Sequence, residues 1–279
     1  FGDATSARAG DINNIDGRRL KGAMANPKLT NDSSALILVK PHASSGLGDI
    51  SSATEAGPSH RSTAALTTAT LRTAVAAWCS NPVAAAGTYG DIAAWDTSGV
   101  GDMSALFGRV FDVTLWQKEA TPRYCSSYAT FNSAIGSWDV SQVTTFFSTF
   151  SACAAFNQYI GLWDMGQATS CSFMFLEAQI YNQDMSAWNT GEITSSEHMF
   201  NDAYAFNQAL DTWDVSKVTY MVRMFQFANS FDQDIGAWDV SRVSDMNTMF
   251  AQCHAFNQYV GSWDVSSATA LYHMFYQAY

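Results

Sequence analysis

Large apolar residues recur at a fixed interval through the last two thirds of the chain, with mostly polar residues between them. An aromatic residue returns every 25 residues from Phe131 onward. Tryptophan returns with the same period, and two independent aromatic columns sharing one period predict a solenoid whose copies bury their apolar faces against each other. The predicted tryptophan column of the core is Trp138, Trp163, Trp188, Trp213, Trp238 and Trp263.

Within one copy, the spacing of apolar residues predicts one strand and one helix. The pattern L-x-x-L-x-L-x-x predicts a short strand around residues 237–240, and it is formed by Ile235, Trp238, Val240 and Val243. A second run predicts a short helix with one inward face. It follows Ser244 and places apolar residues at i, i+3 and i+4, namely Met246, Met249 and Phe250.

The fold class expected from these elements is an α/β repeat. About seven coils of 25 residues would stack strand beside strand at roughly 4.8 Å, with a row of helices on the other side. A phenylalanine column completes the predicted core, with a methionine one residue before five of its six members. Its members are Phe150, Phe175, Phe200, Phe225, Phe250 and Phe275.

The pattern W-D-V-S-x-V-T-x-M-x-x-M-F-x-x-A-x-x-F-N-Q-x-I, clearest at residues 238–260, resembles the repeat of BspA-like leucine-rich-repeat surface proteins. The resemblance covers roughly residues 66–279, and the combination of Trp-Asp with Met-Phe makes it specific. It implies a leucine-rich-repeat-like solenoid displayed outside the cell, for adhesion or as surface structure. It implies no catalytic residue, because the family pattern contains none.

Three regions follow from where the repeat begins and how regular it is. Residues 61–90 are expected to form a helical N-terminal cap, because an amphipathic helix runs into Asn81-Pro82. Residues 91–279 form the predicted solenoid, and Trp95 marks its first coil. Since Trp95 lies 43 residues before Trp138 instead of 25, an 18-residue insertion lies within about 108–130. The insertion includes Trp116, a candidate contact residue, although ordinary loop packing is the stronger interpretation.

Residues 1–60 are rich in Ser, Ala, Gly, Asn and Asp and show no repeat, so we expect an extended tail. One apolar run, at 35–40, predicts a single strand that must pair with an edge of its own solenoid or of a neighbouring molecule. Asn31 begins the sequon Asn-Asp-Ser, a possible glycosylation site. The candidate assembly residues are Ala35, Leu36, Ile37, Leu38, Val39, Met274, Phe275 and Tyr279.

Composition narrows the choice of partners and compartment. A formal net charge of −11 and 14% charged residues disfavour nucleic-acid binding, which needs basic stripes. The sequence contains no run of 18 apolar residues, so we predict no transmembrane segment. The chain begins with Phe1 instead of Met, from which we expect a removed signal peptide or pro-segment and a secreted or cell-surface protein. An acidic intracellular protein also fits the composition.

Five cysteines leave at least one unpaired in any intramolecular scheme. Cys79 in the cap and Cys125 in the insertion are the preferred disulfide pair. The others are expected to be small buried hydrophobes, since Cys153 and Cys253 occupy a position that holds alanine elsewhere and Cys171 one that holds methionine. The cysteines form no C-x-x-C motif, so we expect no zinc site.

Two ladders of polar residues follow from the repeat. An aspartate after each tryptophan, with Asn189 as the exception, is expected to accept hydrogen bonds in the following turn. Divalent cations bridging these carboxylates are the alternative, disfavoured because no copy shows a D-x-D-x-D loop. Asn and Gln columns are expected to bond from coil to coil. The aspartates are Asp96, Asp139, Asp164, Asp214, Asp239 and Asp264.

The sequence offers no acid–base pair, nucleophile elbow, metal motif or phosphate loop, so we expect no enzyme, no cofactor and no metal. The preferred interpretation is an extracellular structural protein, a subunit of a filament or coat assembled head-to-tail through the tail and an open C-terminal coil. The expected partner is therefore the protein itself, as a homopolymer. The alternative is a monomeric adhesion or recognition module that binds other surface proteins or glycans.

Overall fold

The computed structural model describes residues 64–112, 117–118 and 122–278. Its helices precede the repeat: α1 spans Thr68–Ser80 and α2 spans Pro82–Tyr89. Thr67 caps α1, because its side chain accepts from the N–H of Thr70 while the Thr70 side chain accepts from the N–H of Thr67. Asn81 separates the helices and caps α2, whose fixed φ at Pro82 suits a first helical position.

Helix α1 packs on the first coil. Its apolar face is fully buried, and Leu66, just before it, donates from its N–H to the carbonyl of Asp96 at 2.7 Å. Arg72 forms an ion pair with Asp102 at 2.8 Å beside this contact. The helix therefore lies where the sequence predicted a cap, and its fully buried residues are Leu71, Ala74 and Val75.

The remaining regular elements are short. Single 3-10 turns span Ile92–Ala94 and Tyr128–Thr130. Strands β1 (Phe111–Asp112) and β2 (Gln117–Lys118) pair antiparallel. Both strands and the second 3-10 turn lie in the insertion that the break in periodicity predicted. They are therefore separate from the repeating coils.

Successive copies of the repeat lie side by side in register. We number them coil 1 (residues 91–108), coil 2 (131–155), coil 3 (156–180), coil 4 (181–205), coil 5 (206–230), coil 6 (231–255) and coil 7 (256–278). One residue of each coil bridges in parallel to its equivalent in the next, and the 43-residue step from coil 1 to coil 2 shows that the insertion leaves the register unchanged. The bridges are Asp102–Thr145, Thr145–Ser170, Ser170–Ser195, Ser195–Tyr220, Tyr220–Asp245 and Asp245–Ala270.

The secondary structure within each coil differs from the expected strand and helix. Residues 237–240 form no strand, and residues 246–250 form turns where a helix was predicted. Every other N–H in this second segment donates to a carbonyl of the next coil. In coil 6 the bonds measure 2.9, 2.9, 2.8 and 2.7 Å and run from Met246 to Ala270, Thr248 to Tyr272, Phe250 to Met274 and Gln252 to Tyr276.

Left-handed backbone explains this difference. Thr248 and Gln252 have φ of 54° and 58°, and their equivalents in the other coils have φ between 52° and 62°. Two left-handed residues in each of coils 2 to 7, and one in coil 1, are incompatible with a helix, so alternate N–H groups turn toward the next coil. The i, i+3, i+4 apolar pattern still points inward, because i→i−3 turn bonds such as Met249 N–H to Met246 O (3.2 Å) preserve that spacing.

The core consists of columns running along the stack. Each tryptophan of coils 2 to 7 donates from its Nε1–H to a carbonyl of the preceding coil at 2.8–3.2 Å. Neighbouring rings of the phenylalanine column lie 5.4–5.7 Å apart and nearly parallel. Because each indole N–H has an acceptor, these large side chains are buried without an unpaired donor.

Candidate functional site

The residues predicted for the core are buried, with one exception. The six tryptophans of coils 2 to 7 are 3–9% exposed, and five of the six phenylalanines are 0% exposed. Phe275 in coil 7 is 44% exposed, although its ring still stacks on Phe250 at 5.4 Å. Phe275 therefore has a core-type contact on one side only.

The aspartate ladder supports the turns, as the preferred interpretation predicted. Each Asp, and Asn189 in its place, accepts through Oδ1 from the backbone N–H two residues later at 2.9–3.4 Å. These bonds lower the pKa of several of the carboxyls: the Ser216 hydroxyl and N–H do so at Asp214, and the Ser241 hydroxyl and N–H at Asp239. The turns therefore favour the ionised form of Asp214 and Asp239.

The amide columns join coil to coil, which confirms the second ladder. The Oδ1 of Asn157 accepts from the N–H of Asn182 at 3.0 Å and from the Gln183 side-chain amide at 3.0 Å. The same arrangement recurs around Asn182 and Asn207, and Asp232 accepts from Asn257 and Gln258 in the one substituted coil. These amides are occupied within the stack, so they offer little to a ligand.

Cys79 and Cys125 form a disulfide that joins α1 to the insertion. The hydroxyls of Ser126 and Ser127 also donate to the carbonyl of Cys79, at 3.4 and 3.0 Å. The insertion thus packs against the cap. Trp116, the candidate contact residue, lies outside the described residues.

Cys153, Cys171 and Cys253 are free and buried. Burial raises the pKa of the Cys171 and Cys253 thiols to about 12, and raises that of Cys153 further. They are therefore protonated thiols without nucleophilic character.

His198 is the one buried histidine in the described part of the chain, and it lies in a left-handed position. Its ring stacks on Phe173 at 4.6 Å. Burial, with the nearby Arg223 charge, lowers the pKa of His198 to about 3, so the imidazole is neutral at physiological pH. No nucleophile shares this environment in the described residues, and His198 is best explained as a packing residue.

Coil 7 exposes positions that are buried in the coils before it. Leu271 is 37% exposed and Tyr276 48%, while Met274 is half-buried. The other candidate assembly residues, 35–39 and Tyr279, lie outside the described residues, as does Asn31. The structure therefore places Met274 and Phe275 together on one exposed apolar face.

One surface feature was missed from the sequence. Tyr159 and Tyr259 occupy the same repeat position, four coils apart, and are 46% and 76% exposed. Asp184 and Asp234 occupy that position in two of the coils between them and are also exposed. The available signal was a column that mixes aromatic, acidic and small residues instead of keeping one residue type.

The described residues contain no group of three or more His, Cys, Asp or Glu side chains arranged to hold a metal ion. Among the same residues, no helix is long and apolar enough to cross a membrane. Neither finding extends to the residues outside the described ranges.

A family model matches the chain in three segments, residues 80–117, 112–212 and 183–279, which together span more than half of its length. The chain belongs to the family described as Mycoplasma protein of unknown function, DUF285. No curated protein and no solved structure matches this DUF285 chain. The family match covers the coils, so membership agrees with the resemblance of the repeat to BspA-like surface proteins at the level of a repeat family of unknown function.

Proposed function

We propose that this DUF285 chain is a non-enzymatic extracellular structural protein that assembles head-to-tail into a surface filament or coat, built as a leucine-rich-repeat-like solenoid. The observation that carries the proposal is the exposed face of coil 7. There Tyr272 is 70% exposed and Phe275 44%, whereas coil 6 buries Phe250 completely. An apolar face of this kind marks an interaction surface.

The backbone edge of coil 7 carries hydrogen-bond donors, so it requires a partner that supplies acceptors. In coils 1 to 6 the N–H groups of the paired segment donate toward the next coil, and the carbonyls of that next coil accept. The corresponding N–H groups of coil 7 have no acceptor among the described residues, and they belong to Leu271, His273, Phe275 and Gln277. A row of donors cannot pair with its own copy across a two-fold axis, which favours a heterologous, non-closing contact.

The opposite end of the stack is covered by α1, which buries Leu71 and Val75 against coil 1. A second copy therefore cannot dock coil 1 directly on coil 7. This leaves the N-terminal segment as the proposed partner, with residues 35–39 joining the free edge of coil 7 in the next molecule. The segment lies outside the described residues, so this contact rests on its sequence.

The experiment compares assembly of four proteins by negative-stain imaging and light scattering over a range of concentrations. We expect filaments from the full chain, and monomers from a chain lacking residues 1–60 and from Phe275→Asp. The matched control is Val83→Asp, which changes a side chain that is 85% exposed on α2 and should leave assembly intact. Monodisperse monomers from the full chain at high concentration contradict the proposal.

The second candidate is a monomeric adhesion or recognition module. The observation that favours it is the pair of exposed tyrosines at one repeat position, Tyr159 and Tyr259. Tyrosine is enriched at binding surfaces because it offers a large contact area at a low cost in conformational entropy.

A further inference from the structure

The position that holds Tyr159 forms a line along one side of the stack. From coil 3 to coil 7 this line reads aromatic, acidic, small, acidic, aromatic, and we call these five residues the Tyr-Asp row. In the aromatic column three residues earlier, neighbouring rings lie 5.7–6.4 Å apart from coil to coil, so the two tyrosines, four coils apart, are separated by about 24 Å. The row consists of Tyr159, Asp184, Ala209, Asp234 and Tyr259.

Each tyrosine of the row packs against a glycine two residues later. A Cβ added at Gly161 would lie 2.7 and 2.8 Å from the Cε2 and Cζ atoms of Tyr159. A Cβ added at Gly261 would lie 2.7 Å from three atoms of the Tyr259 side chain. Each ring therefore lies over its glycine, and about half or more of the tyrosine surface remains open to solvent.

The two carboxylates between the rings are held by the turns. Asp184 and Asp234 each accept through Oδ1 from the backbone N–H two residues later, at 2.9 Å in both cases. Both side chains are exposed. Their outward oxygens can accept hydrogen bonds from a ligand without rearrangement of the turn, because one oxygen alone anchors the side chain.

The chemistry of the row fits a sugar chain better than a protein. Stable protein interfaces bury about 800 Å² per partner around an apolar centre, whereas this row is one residue wide and polar in its middle. A hexose presents apolar C–H faces and hydroxyl edges, and its length along an extended chain is close to one coil spacing. Tyrosine rings suit the faces, and carboxylates accept from the hydroxyls.

We propose that the Tyr-Asp row binds a linear, extended oligosaccharide of about five units, with end sugars stacked on Tyr159 and Tyr259 and inner hydroxyls donating to Asp184 and Asp234. The site would give the recognition candidate its ligand class. It does not depend on head-to-tail assembly, since no residue of the row belongs to the donor row of coil 7.

The test is isothermal titration calorimetry of the full chain with the β-1,4-linked hexaoses of glucose, N-acetylglucosamine and mannose. We expect one of the three to bind and its disaccharide to bind at least about 10-fold more weakly, because a disaccharide cannot span both rings. Tyr159→Ala and Tyr259→Ala should each weaken the hexaose at least about 10-fold. Tyr204→Ala, which removes a tyrosine 41% exposed elsewhere on the stack, should leave affinity unchanged.

Two outcomes overturn the proposal. One is the absence of heat with all three hexaoses at millimolar concentration, and the other is binding that Tyr159→Ala and Tyr259→Ala leave unchanged. Thermal melting of each variant checks that the fold is retained. Light scattering of the same variants distinguishes sugar binding from filament assembly. A variant that loses sugar binding and still forms filaments is altered only at the Tyr-Asp row.

Discussion

Coils 4 and 6 share one backbone but differ in how well their side chains suit it. Coil 6 has Phe231, Val240 and Met246 in three buried columns, where coil 4 has Tyr181, Thr190 and Ser196. Both coils form the same ladder bonds and have the same left-handed positions. The backbone therefore does not depend on which residues fill these columns.

The differences appear in the burial of polar atoms. In coil 4 the Tyr181 Oη and the Ser196 Oγ are buried without a hydrogen-bond partner among the described residues, whereas coil 6, described throughout, has no such atom. Ser196 also lines an apolar cavity shared with coil 5, together with Ile193, Met199 and Trp213. The stack thus tolerates a locally imperfect coil, because neighbours on both sides hold it in register.

The largest expected effect comes from removing a ring that all these coils share. Phe250→Ala in coil 6 should lower the free energy of unfolding by about 3–5 kcal/mol, because it leaves a cavity in a fully buried column. Phe275→Ala, which removes the 44% exposed ring of the same column, is the matched control and should cost clearly less. Urea unfolding measures both. Equal losses would show that burial does not distinguish coil 7 from the inner coils.

The next effect lies outside both coils, in the cap. Replacing Cys79 and Cys125 together with alanine should destabilise by about 2–4 kcal/mol, because the disulfide closes a loop with a sequence separation of 46. Thermal melting under non-reducing conditions measures the loss. Cys171→Ala is a control for changing a cysteine that is free. A melt unchanged in the double variant would mean that α1 stays docked through its apolar contacts alone.

Filling the cavity of coil 4 should make it more like coil 6. Ser196→Met introduces the residue found at Met221 and Met246 and removes a buried hydroxyl, so we expect a gain of about 1 kcal/mol. Melting temperature is the measurement. Ser172→Met is the control, since Ser172 is buried but its hydroxyl is hydrogen-bonded to Ser195 at 2.7 Å. A loss of stability in Ser196→Met would show that the space cannot take the longer side chain.

Tyr181→Phe restores the residue found at this position in coils 3, 5 and 6. The hydroxyl is buried without a partner, and its burial raises the pKa of Tyr181 well above the usual value. We expect a gain of up to about 1 kcal/mol in the free energy of unfolding. Tyr204→Phe, at an exposed hydroxyl, should change little. A destabilised Tyr181→Phe would mean that the hydroxyl has a favourable interaction.

The smallest expected effect is an acid dependence of the turns. The pKa of Asp184, Asp214 and Asp264 is held below its ordinary value, chiefly by hydrogen bonds from Ser186, Ser216 and Ser266. Carboxyls with lowered pKa stabilise the fold above the unfolded pKa, and this contribution is lost as the pH falls through the folded pKa. The melting temperature should therefore decrease as the pH is lowered below about 4.

Asn189 supplies the control for this acid effect, because it forms the same turn bond without a titrating group. Changing Asp214 and Asp264 to asparagine should flatten the fall in melting temperature. An unchanged acid dependence in that variant would place the responsible carboxyls elsewhere. Chelator at neutral pH should leave the melting temperature unaltered, whereas a large drop would favour bridging cations.

The 25-residue period revealed the columns and the position of the insertion, because aromatic residues such as Trp138 and Trp163 must stack at equal intervals. The capping helix followed from the amphipathic pattern that runs into Asn81-Pro82. The backbone of each coil was not predictable in the same way. Turns joined by i→i−3 bonds place Met246, Met249 and Phe250 inward as a helix does, so the pattern cannot distinguish the two. The left-handed residues give no signal either, since Phe173 and Arg223 are residue types that rarely adopt positive φ.

The candidate surfaces divide in a similar way. Met274 and Phe275 were found because the sequence shows a coil with core residues in place. Tyr159 and Tyr259 were missed because exposure depends on which way a turn directs a side chain, and a column of mixed residues shows no periodic preference. The Cys79–Cys125 pair was preferred because both residues lie outside the regular coils.

The unchanged register across the insertion has a consequence for how such a chain changes over generations. The same pairs of repeat positions are in contact at each junction between coils. Duplication or loss of one whole 25-residue unit therefore creates no new kind of junction. A change of any other length must be accommodated as an insertion between two units, as the 18 extra residues between coils 1 and 2 are. Length can therefore vary in whole steps by recombination between copies.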